Sequence, residues 1–367
     1  MIGSQTYINS IVKTWMGPRV LALALIAGPS VLLTGCPRNE TRPNGARVSI
    51  STSSTANSPA VPLAVAFNGE RAMDHVRKQI NMGPGPAGSP QLGRTRDYIV
   101  SALKSSGLIV STDEFKAATP QGEKVMANII AEIAGESKDT IIIASHYDTK
   151  YYKDMLFVGA NDPAASVATL IEIGRVLGAS REKPKLTYRL VFFDGEEAFC
   201  EGWEDCGKPD APDNTYGSRH YVSQLRSKNA LETTRALILL DMMGYKNLEL
   251  GRDDMSTKWL QDIIWQTGRD LGYGAYFVDR PEGVGGDDHE PFLRAGIDSV
   301  DLIQLNSYPF WHKADDTIDK VSAQSMKIVA DTVLASLPKV EARLANGKKD
   351  NSLRYPVSPA SKPTSVE

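Results

Sequence analysis

Two adjacent glutamates, Glu196 and Glu197, lie just beyond an apolar run at residues 186–193. The run is rich in β-branched and aromatic residues, which is typical of a buried strand. In open α/β sheets, ligands bind at the rim formed by the carboxyl ends of the strands. Paired carboxylates at this rim are candidates for binding a metal ion and for moving a proton. The alternative is an exposed acidic turn without a chemical role.

Polar residues also follow the other strand-like runs of the chain. His146 and Asp241 each come directly after such a run, and His312 follows a third one after a loop. Asp162 lies in a short segment that opens a predicted helix. Because the carboxyl ends of parallel strands meet at the same edge of a sheet, we expect these four side chains to lie close together.

Several of these residues have the types that bind zinc. A catalytic zinc site combines three histidine or carboxylate ligands with one open position. Asp162, Glu197 and His312 supply such a set. The chain has only five histidines, and His75 and His220 fall in amphipathic helices, where we expect them to face solvent. Few other histidines are therefore available for a metal site.

Each candidate ligand also has a structural interpretation. Asp162 fits a helix N-cap, because a proline, which is favoured at the first helical position, follows it. His312 fits a turn in which it hydrogen-bonds to Asp315 or Asp316. Asp241 fits a buried carboxylate paired with an arginine. We favour the metal interpretation because the candidates converge on one edge of the sheet.

The order of helical and strand-like runs predicts an α/β fold. From residue 140 onward, the two kinds of run alternate, which indicates a mostly parallel sheet covered by helices on both faces, a three-layer α/β/α sandwich. The predicted helices span residues 69–82, 94–106, 163–177, 216–227, 256–271 and 321–344, and the predicted strands span 108–115, 124–133, 140–145, 186–193, 235–240 and 299–304.

The first 35 residues have the pattern of an export signal. Basic residues precede an apolar run at residues 20–33, which is short for a membrane span. Residues 33–36 resemble the lipobox of bacterial lipoproteins, in which Cys36 is lipidated. Since residue 37 is proline rather than aspartate, we expect a periplasmic location on the outer membrane. The alternative is an ordinary signal peptide with an incidental cysteine.

Composition divides the rest of the chain. Residues 36–63 are rich in Ser, Thr, Asn and Pro and predict a flexible linker after the lipidated cysteine, whereas residues 346–367 predict a disordered tail. Residues 64–345 are expected to form one catalytic domain, a monomer that reaches the membrane only through its lipid. The formal net charge of -3 provides no basic surface for nucleic acid.

Two further cysteines, Cys200 and Cys206, lie in a loop rich in glycine, aspartate and proline. An exported chain makes a local disulfide plausible at this spacing. The alternative is a thiolate metal site, but the loop lacks the close cysteine pairs and histidines of zinc fingers.

The ordered motifs resemble those of a known enzyme clan. In order and spacing, the chain is similar to the zinc aminopeptidase clan, which has a central mixed sheet, at residues 146–148, 159–162, 194–197, 240–241, 288–289 and 312. Within that clan, it more closely resembles the animal-type glutaminyl-peptide cyclotransferases at residues 194–199, 203, 216–219, 287–289, 291–293 and 311–312.

The resemblance implies a role for each matched residue. One zinc ion would be bound by Asp162, Glu197 and His312, and Glu196 would be the general acid/base. Asp241 and Asp287 would form an acidic group beside Glu196. Trp203 and Trp311 would form the walls of the substrate pocket.

The implied activity is conversion of N-terminal glutamine of peptides and proteins to pyroglutamate, with release of ammonia. The alternative within the clan is a two-zinc aminopeptidase, in which His146 and Asp241 would bind the second ion. A third hypothesis is a binding module that has kept the fold without catalysis. The chain departs from the pattern at Lys313, where threonine is usual, and at Ser145, where the animal enzymes have a disulfide-bonded cysteine.

Overall fold

The computed structural model describes residues 65–346 except residue 210. The predicted export signal, the lipidation at Cys36 and the linker lie outside the described residues, as does the predicted tail after residue 346. Within the described part, no helix is both long and apolar enough to cross a membrane.

Strands and helices alternate along most of the described chain. The strands are β1 (Ile109–Thr119), β2 (Gly122–Ile133), β3 (Thr140–His146), β4 (Thr187–Phe193), β5 (Gly207–Lys208), β6 (Ala211–Pro212), β7 (Thr234–Asp241), β8 (Leu250–Asp253), β9 (Phe277–Glu282) and β10 (Asp298–Ile303). The helices are α1 (Gly69–Ile80), α2 (Pro90–Ser105), α3 (Ser166–Gly178), α4 (Tyr216–Ser227), α5 (Lys258–Asp270), α6 (Glu290–Arg294) and α7 (Ala323–Asn346).

Six of the strands form the central sheet in the order β1-β2-β4-β3-β7-β10. The four strands β4, β3, β7 and β10 are parallel to one another. The hairpin β1–β2 adds to β4 in antiparallel orientation, and its turn ends at Gly122, which has a φ of 89°. The sheet is therefore mixed and mostly parallel, which confirms the predicted fold class.

Helices cover both faces of this sheet, as the alternation of strand side chains requires. In β3, Ile141 and Ile143 belong to a core that includes residues of α1, α2, α3, α5 and α7. Ile142 and Ala144 point the other way and pack with residues of α4 and with Phe292 of α6. The molecule is thus the expected three-layer α/β/α sandwich, and the carboxyl ends of its parallel strands meet at one edge.

The structure differs from the sequence prediction around α3 and in five short elements. A helix was predicted from residue 163, but α3 begins at Ser166. A π-helical turn, Ala160–Ala165, precedes it, and within this turn Asp162 has a non-helical backbone and precedes a cis proline. Strands β5, β6, β8 and β9 and helix α6 were not predicted. They have two to six residues each, too few to establish a hydrophobic period.

Candidate metal centre and acid cluster

The candidate site lies where the parallel strands end. His146 is the last residue of β3 and Asp241 is the last residue of β7. Glu196 and Glu197 follow the end of the neighbouring strand β4, and Asp162 lies in the π-helical turn. All five are buried. The polar residues therefore lie together at one edge of the sheet, as predicted.

Asp162, Glu197 and His312 form the first group of possible metal ligands. One donor atom from each residue lies within 4.8 Å of the other two. The Nε2 atom of His312 is 3.1 Å from Glu197 Oε1 and 3.6 Å from Asp162 Oδ2. The second carboxylate oxygen of Glu197, Oε2, is buried without a hydrogen-bond partner. An unpartnered buried carboxylate oxygen next to two other donors is what a cation site requires.

A second group shares Asp162 with the first. The Nε2 atom of His146 is 3.2 Å from Asp162 Oδ1 and 3.3 Å from Asp241 Oδ1. The two oxygens of Asp162 thus face different histidines, one in each group. This is the arrangement of a carboxylate that can bridge two metal ions.

The contacts of Asp162, Asp241 and His312 differ from those of the purely structural interpretations. The residue before the π-helical turn is Gly159, and no side chain caps it, so Asp162 does not act as an N-cap. Asp241 pairs with a histidine, His146, rather than with an arginine. His312 contacts Glu197 and Asp162.

Asp148 holds the two glutamates in place through their backbone. Its Oδ1 accepts a hydrogen bond from the N–H of Glu196 at 3.0 Å, and its Oδ2 accepts one from the N–H of Glu197 at 3.3 Å. The Asp148 carboxylate is fully buried. Asp148 belongs to the motif at residues 146–148, but no role was predicted for it, because a bond to backbone N–H groups some 50 residues away leaves no local pattern.

Asp316 has the same function for the loop that carries Asp162. Its Oδ1 accepts from the N–H of Asn161 at 2.9 Å, and its Oδ2 accepts from the N–H of Asp162 at 3.1 Å. The hydroxyl of Tyr308 donates to Asp316 Oδ1 at 2.5 Å. Since Asp316 lies four residues after His312, this contact also ties the two ligand-bearing loops together.

Two glycines allow these loops to form. Gly159 has a φ of 59°, and a Cβ atom there would lie 1.9 Å from the carbonyl oxygen of Asp162. Gly195 has a φ of 73°, and a Cβ atom there would lie 2.7 Å from Met126 Sδ. Both positions combine a left-handed backbone with a close approach, so only glycine fits them without strain.

The carboxyl group of Glu196 lies beside His146, a member of the second ligand group. Its Oε2 is 3.5 Å from His146 Nδ1. Burial raises the pKa of Glu196 well above its usual value, and the charges of Glu197 and Asp287 reinforce this shift, whereas His146 opposes it. A carboxyl group with a raised pKa can both accept and return a proton near neutral pH.

Asp287, which was predicted to join Asp241 in an acidic group, lies on the same side as Glu196. Burial raises the pKa of Asp287 to about 7, and the charge of Asp241 adds to the effect. One carboxylate oxygen of Asp287 lies within 4.8 Å of one of Asp301, a residue that was not predicted. Burial raises the pKa of Asp301 well above its usual value, and the charge of Asp287 adds to the shift. An aspartate between Val300 and Leu302 inside β10 is the signal in the sequence that could have identified it.

Further buried polar side chains lie next to Asp287. His289 Nε2 is 3.2 Å from Asp253 Oδ2, and its Nδ1 is 3.8 Å from Asp301 Oδ2. All three side chains are fully or almost fully buried. None of the three belongs to the first ligand group.

Trp203 lies in the loop closed by a disulfide between Cys200 and Cys206. Its carbonyl oxygen accepts a hydrogen bond from Asn214 Nδ2 at 3.1 Å. Its indole Nε1 lies 3.5 Å from the point that a Cβ atom of Gly286 would occupy, next to Asp287 in the chain. The structure therefore places Trp203 beside the acidic cluster.

Trp311 stacks on the ring of His312, with centroids 4.3 Å apart and an interplanar angle of 23°. Its side chain is 41% exposed, so it borders the site from the solvent side. The ammonium group of Lys313 donates to the carbonyl oxygen of Pro309 at 2.7 Å. The ammonium group of Lys313 is therefore bound to the turn that precedes His312.

The other two histidines differ from expectation. His75 and His220 are partly buried rather than facing solvent. His75 Nδ1 forms a short hydrogen bond with the hydroxyl of Tyr98, and His220 Nε2 lies 3.1 Å from Asp113 Oδ2. Each of these histidines thus contacts a residue of another helix or strand, which the pattern of its own helix does not predict.

The contacts of Asp148 lead to a prediction about stability. Replacing Asp148 with alanine leaves two buried N–H groups without a partner, and we expect the free energy of unfolding to fall by about 2–5 kcal/mol. Urea unfolding measures this change. Asp74→Ala, at an exposed aspartate, is the control and should have little effect. Equal midpoints for the two variants would contradict the role of Asp148.

Comparisons with known proteins agree with this geometry. The profile of peptidase family M28 matches residues 128–337. Glutaminyl-peptide cyclotransferase of Bos taurus is 30% identical over 277 residues, which cover 62% of this chain and 71% of that protein. The crystal structure of an Acidobacteriales bacterium glutaminyl cyclase superposes with a TM-score of 0.70 at 34% identity and covers 78% of this chain and 99% of its own. A Zn-dependent exopeptidase from Parabacteroides distasonis has a TM-score of 0.68 at 26% identity, covering 74% and 98%. The chain therefore belongs to peptidase family M28 and, within it, to the glutaminyl-peptide cyclotransferases.

Proposed function

We propose that this protein converts the N-terminal glutamine of peptides and proteins to pyroglutamate and releases ammonia. The observation that carries the proposal is the position of Glu196, a buried carboxyl group with a raised pKa, adjacent in the chain to the candidate ligand Glu197 and 3.5 Å from His146 Nδ1. The relatives named glutaminyl-peptide cyclotransferase and glutaminyl cyclase support it.

The first ligand group fits zinc. Two carboxylates and one imidazole are donors that catalytic zinc sites use, and the partly exposed His312 leaves the group open toward solvent. Asp162, Glu197 and His312 would hold one ion. When bound there, zinc supplies Lewis-acid polarisation of the substrate's γ-carbonyl group.

The protein's own residues then have to move one proton. The substrate's α-amine attacks its γ-carboxamide carbon, a carbon–nitrogen bond forms, and the carboxamide nitrogen leaves as ammonia. Glu196 accepts a proton from the attacking α-nitrogen and donates it to the departing nitrogen. Because burial raises the pKa of Glu196 and the charges of Glu197 and Asp287 add to the shift, Glu196 can perform both transfers.

The surroundings of Glu196 also orient the substrate. Nucleophile and electrophile belong to the same glutamine residue, so the reaction needs a folded side chain rather than a second reactant. Trp203 and Trp311 provide flat walls on two sides of the site, and the carboxylates attract the substrate's α-ammonium group. Rigid aromatic walls help to keep water from the reacting carbonyl.

A two-zinc aminopeptidase is the second candidate function. The group of His146, Asp162 and Asp241 favours it, since this group would supply the additional ligands and a bridging carboxylate. The Zn-dependent exopeptidase from Parabacteroides distasonis is similar in fold.

We also propose that the protein acts outside the cytoplasm as a monomer, anchored by a lipid on Cys36 to the outer membrane. The signal-like pattern of residues 1–36 supports this location. The Cys200–Cys206 disulfide is consistent with it, because disulfides persist in oxidising compartments.

A single peptide assay separates the two enzymatic functions. A purified protein given a peptide with N-terminal glutamine should produce the same chain lighter by one ammonia, as measured by mass spectrometry. A leucine-initiated peptide of otherwise equal sequence should remain intact. Release of free glutamine or leucine would support the aminopeptidase and overturn the proposed reaction.

Glu196→Gln tests the proton transfer. The amide cannot accept the proton, so kcat should fall by about a hundredfold to ten-thousandfold, while bound zinc remains. Glu201→Gln, at an exposed glutamate of the nearby loop, is the matched control and should retain its activity. Near-normal turnover by Glu196→Gln would remove Glu196 from the proposed role.

Metal content distinguishes the two ligand groups. After equilibration with zinc and removal of free metal, the protein should contain a single equivalent by elemental analysis. His312→Ala should lose most of it, whereas His146→Ala and the control His220→Ala should retain it. Two equivalents in the wild type and one in His146→Ala would instead support the two-zinc site.

A further inference from the structure

A cavity of about 300 Å³ lies beside the first ligand group and takes no part in the chemistry described so far. One wall is the segment around Pro84 and Pro86, which precedes α2. The opposite wall is the loop after β3, with Tyr151, Tyr152, Leu156 and Phe157. The lining is mainly apolar and aromatic, which is typical of pockets that bind small organic groups.

The cavity is continuous with the candidate metal centre through two aromatic residues. Tyr152 and Phe157 line the cavity and also pack edge-on against His312, with ring centroids 6.3 Å and 5.9 Å away. The hydroxyl of Tyr152 donates to the carbonyl oxygen of His312 at 3.3 Å. An occupant of the cavity would therefore lie within one or two residues of a glutamine bound at the metal centre, since an extended chain advances about 3.5 Å per residue.

The rim of the cavity exposes large apolar side chains. Leu156 is 70% exposed and Tyr151 is 39% exposed, and Trp311 borders the same metal centre. These are three of the six large hydrophobic residues that the described part of the chain leaves exposed, and the other three are Ile109, Val125 and Leu271. A cluster of exposed apolar side chains next to a binding site marks a surface that is covered when a partner binds.

The only charged side chain that lines this cavity is Lys150. It is almost fully buried, and its ammonium group donates to the carbonyl oxygen of Ala198 at 2.8 Å. The charges of Glu197, Asp162 and Glu201 act on Tyr152 in the same lining, so the charge of Lys150 is balanced from outside the cavity. The composition of the lining itself therefore sets the preference, and it suits an apolar or aromatic side chain.

We propose that this cavity binds the side chain of the second residue of the substrate, the one that follows the N-terminal glutamine, and selects apolar and aromatic residues there. The inference rests on the proposed cyclisation, because it assigns the chain direction of a peptide whose first residue lies at the metal centre. Leu156 and Tyr151 are the residues that set the preference.

The test uses four peptides that differ only in the residue after glutamine: leucine, phenylalanine, glycine or lysine. With the wild-type protein, kcat/KM for the leucine and phenylalanine peptides should exceed that for the glycine and lysine peptides by about three- to tenfold, mainly through KM. Leu156→Ala should reduce the leucine-to-glycine ratio of kcat/KM toward one.

Leu271→Ala is the matched control, because Leu271 is also an exposed leucine but lies at the end of α5. It should retain the wild-type ratio, and since both leucines are exposed, both variants should unfold at the wild-type temperature. If all four peptides are cyclised with equal kcat/KM, or if Leu156→Ala keeps the wild-type ratio, the subsite is wrong and the cyclase function stands. If no glutamine peptide is cyclised, the proposed function fails and the subsite fails with it.

Discussion

Two buried carboxylates that bind backbone N–H groups determine the geometry of the site. Asp148 fixes the backbone of Glu196 and Glu197, and Asp316 fixes the backbone that carries Asp162. Neither carboxylate belongs to a candidate metal group. Hydrogen bonds from N–H groups to an ionised carboxylate are stronger than those between neutral groups. The ligand-bearing loops are therefore positioned by the protein itself, and a metal ion would meet a site that is already formed.

The same edge of the sheet concentrates negative charge. Carboxyl groups end or follow several strands, and burial raises the pKa values of Asp162 and Asp287 to about 7. Such a cluster is unfavourable unless protons or cations balance it. A divalent ion at the first ligand group would offset part of this repulsion, so metal binding and stability of the fold are coupled. Chemical function and a local cost in stability thus arise from the same residues.

The fold and the position of the candidate metal ligands at the sheet edge followed from short-range patterns in the sequence. The central strands are long apolar runs, and His146, Asp241 and Glu197 lie at fixed offsets from their ends, so the sheet edge could be anticipated. The contacts of Asp148, Asp316 and Asp301 could not, because they join segments far apart in the chain and their partners include backbone groups. The short strands and helix α6 lack a period, and the cavity beside Tyr152 depends on how two loops pack.

The Cys200–Cys206 disulfide closes a seven-residue loop, and that loop carries Trp203. A cross-link of this kind restricts the unfolded chain, so part of the conformational entropy of the loop is lost before any substrate arrives. The carbonyl group of Trp203 and the N–H of Cys200 are held by Asn214 and Asp213, which restrict the loop further. This part of the entropy of the loop that carries Trp203 is therefore lost when the disulfide forms during folding. Its loss does not weaken the binding of each substrate molecule.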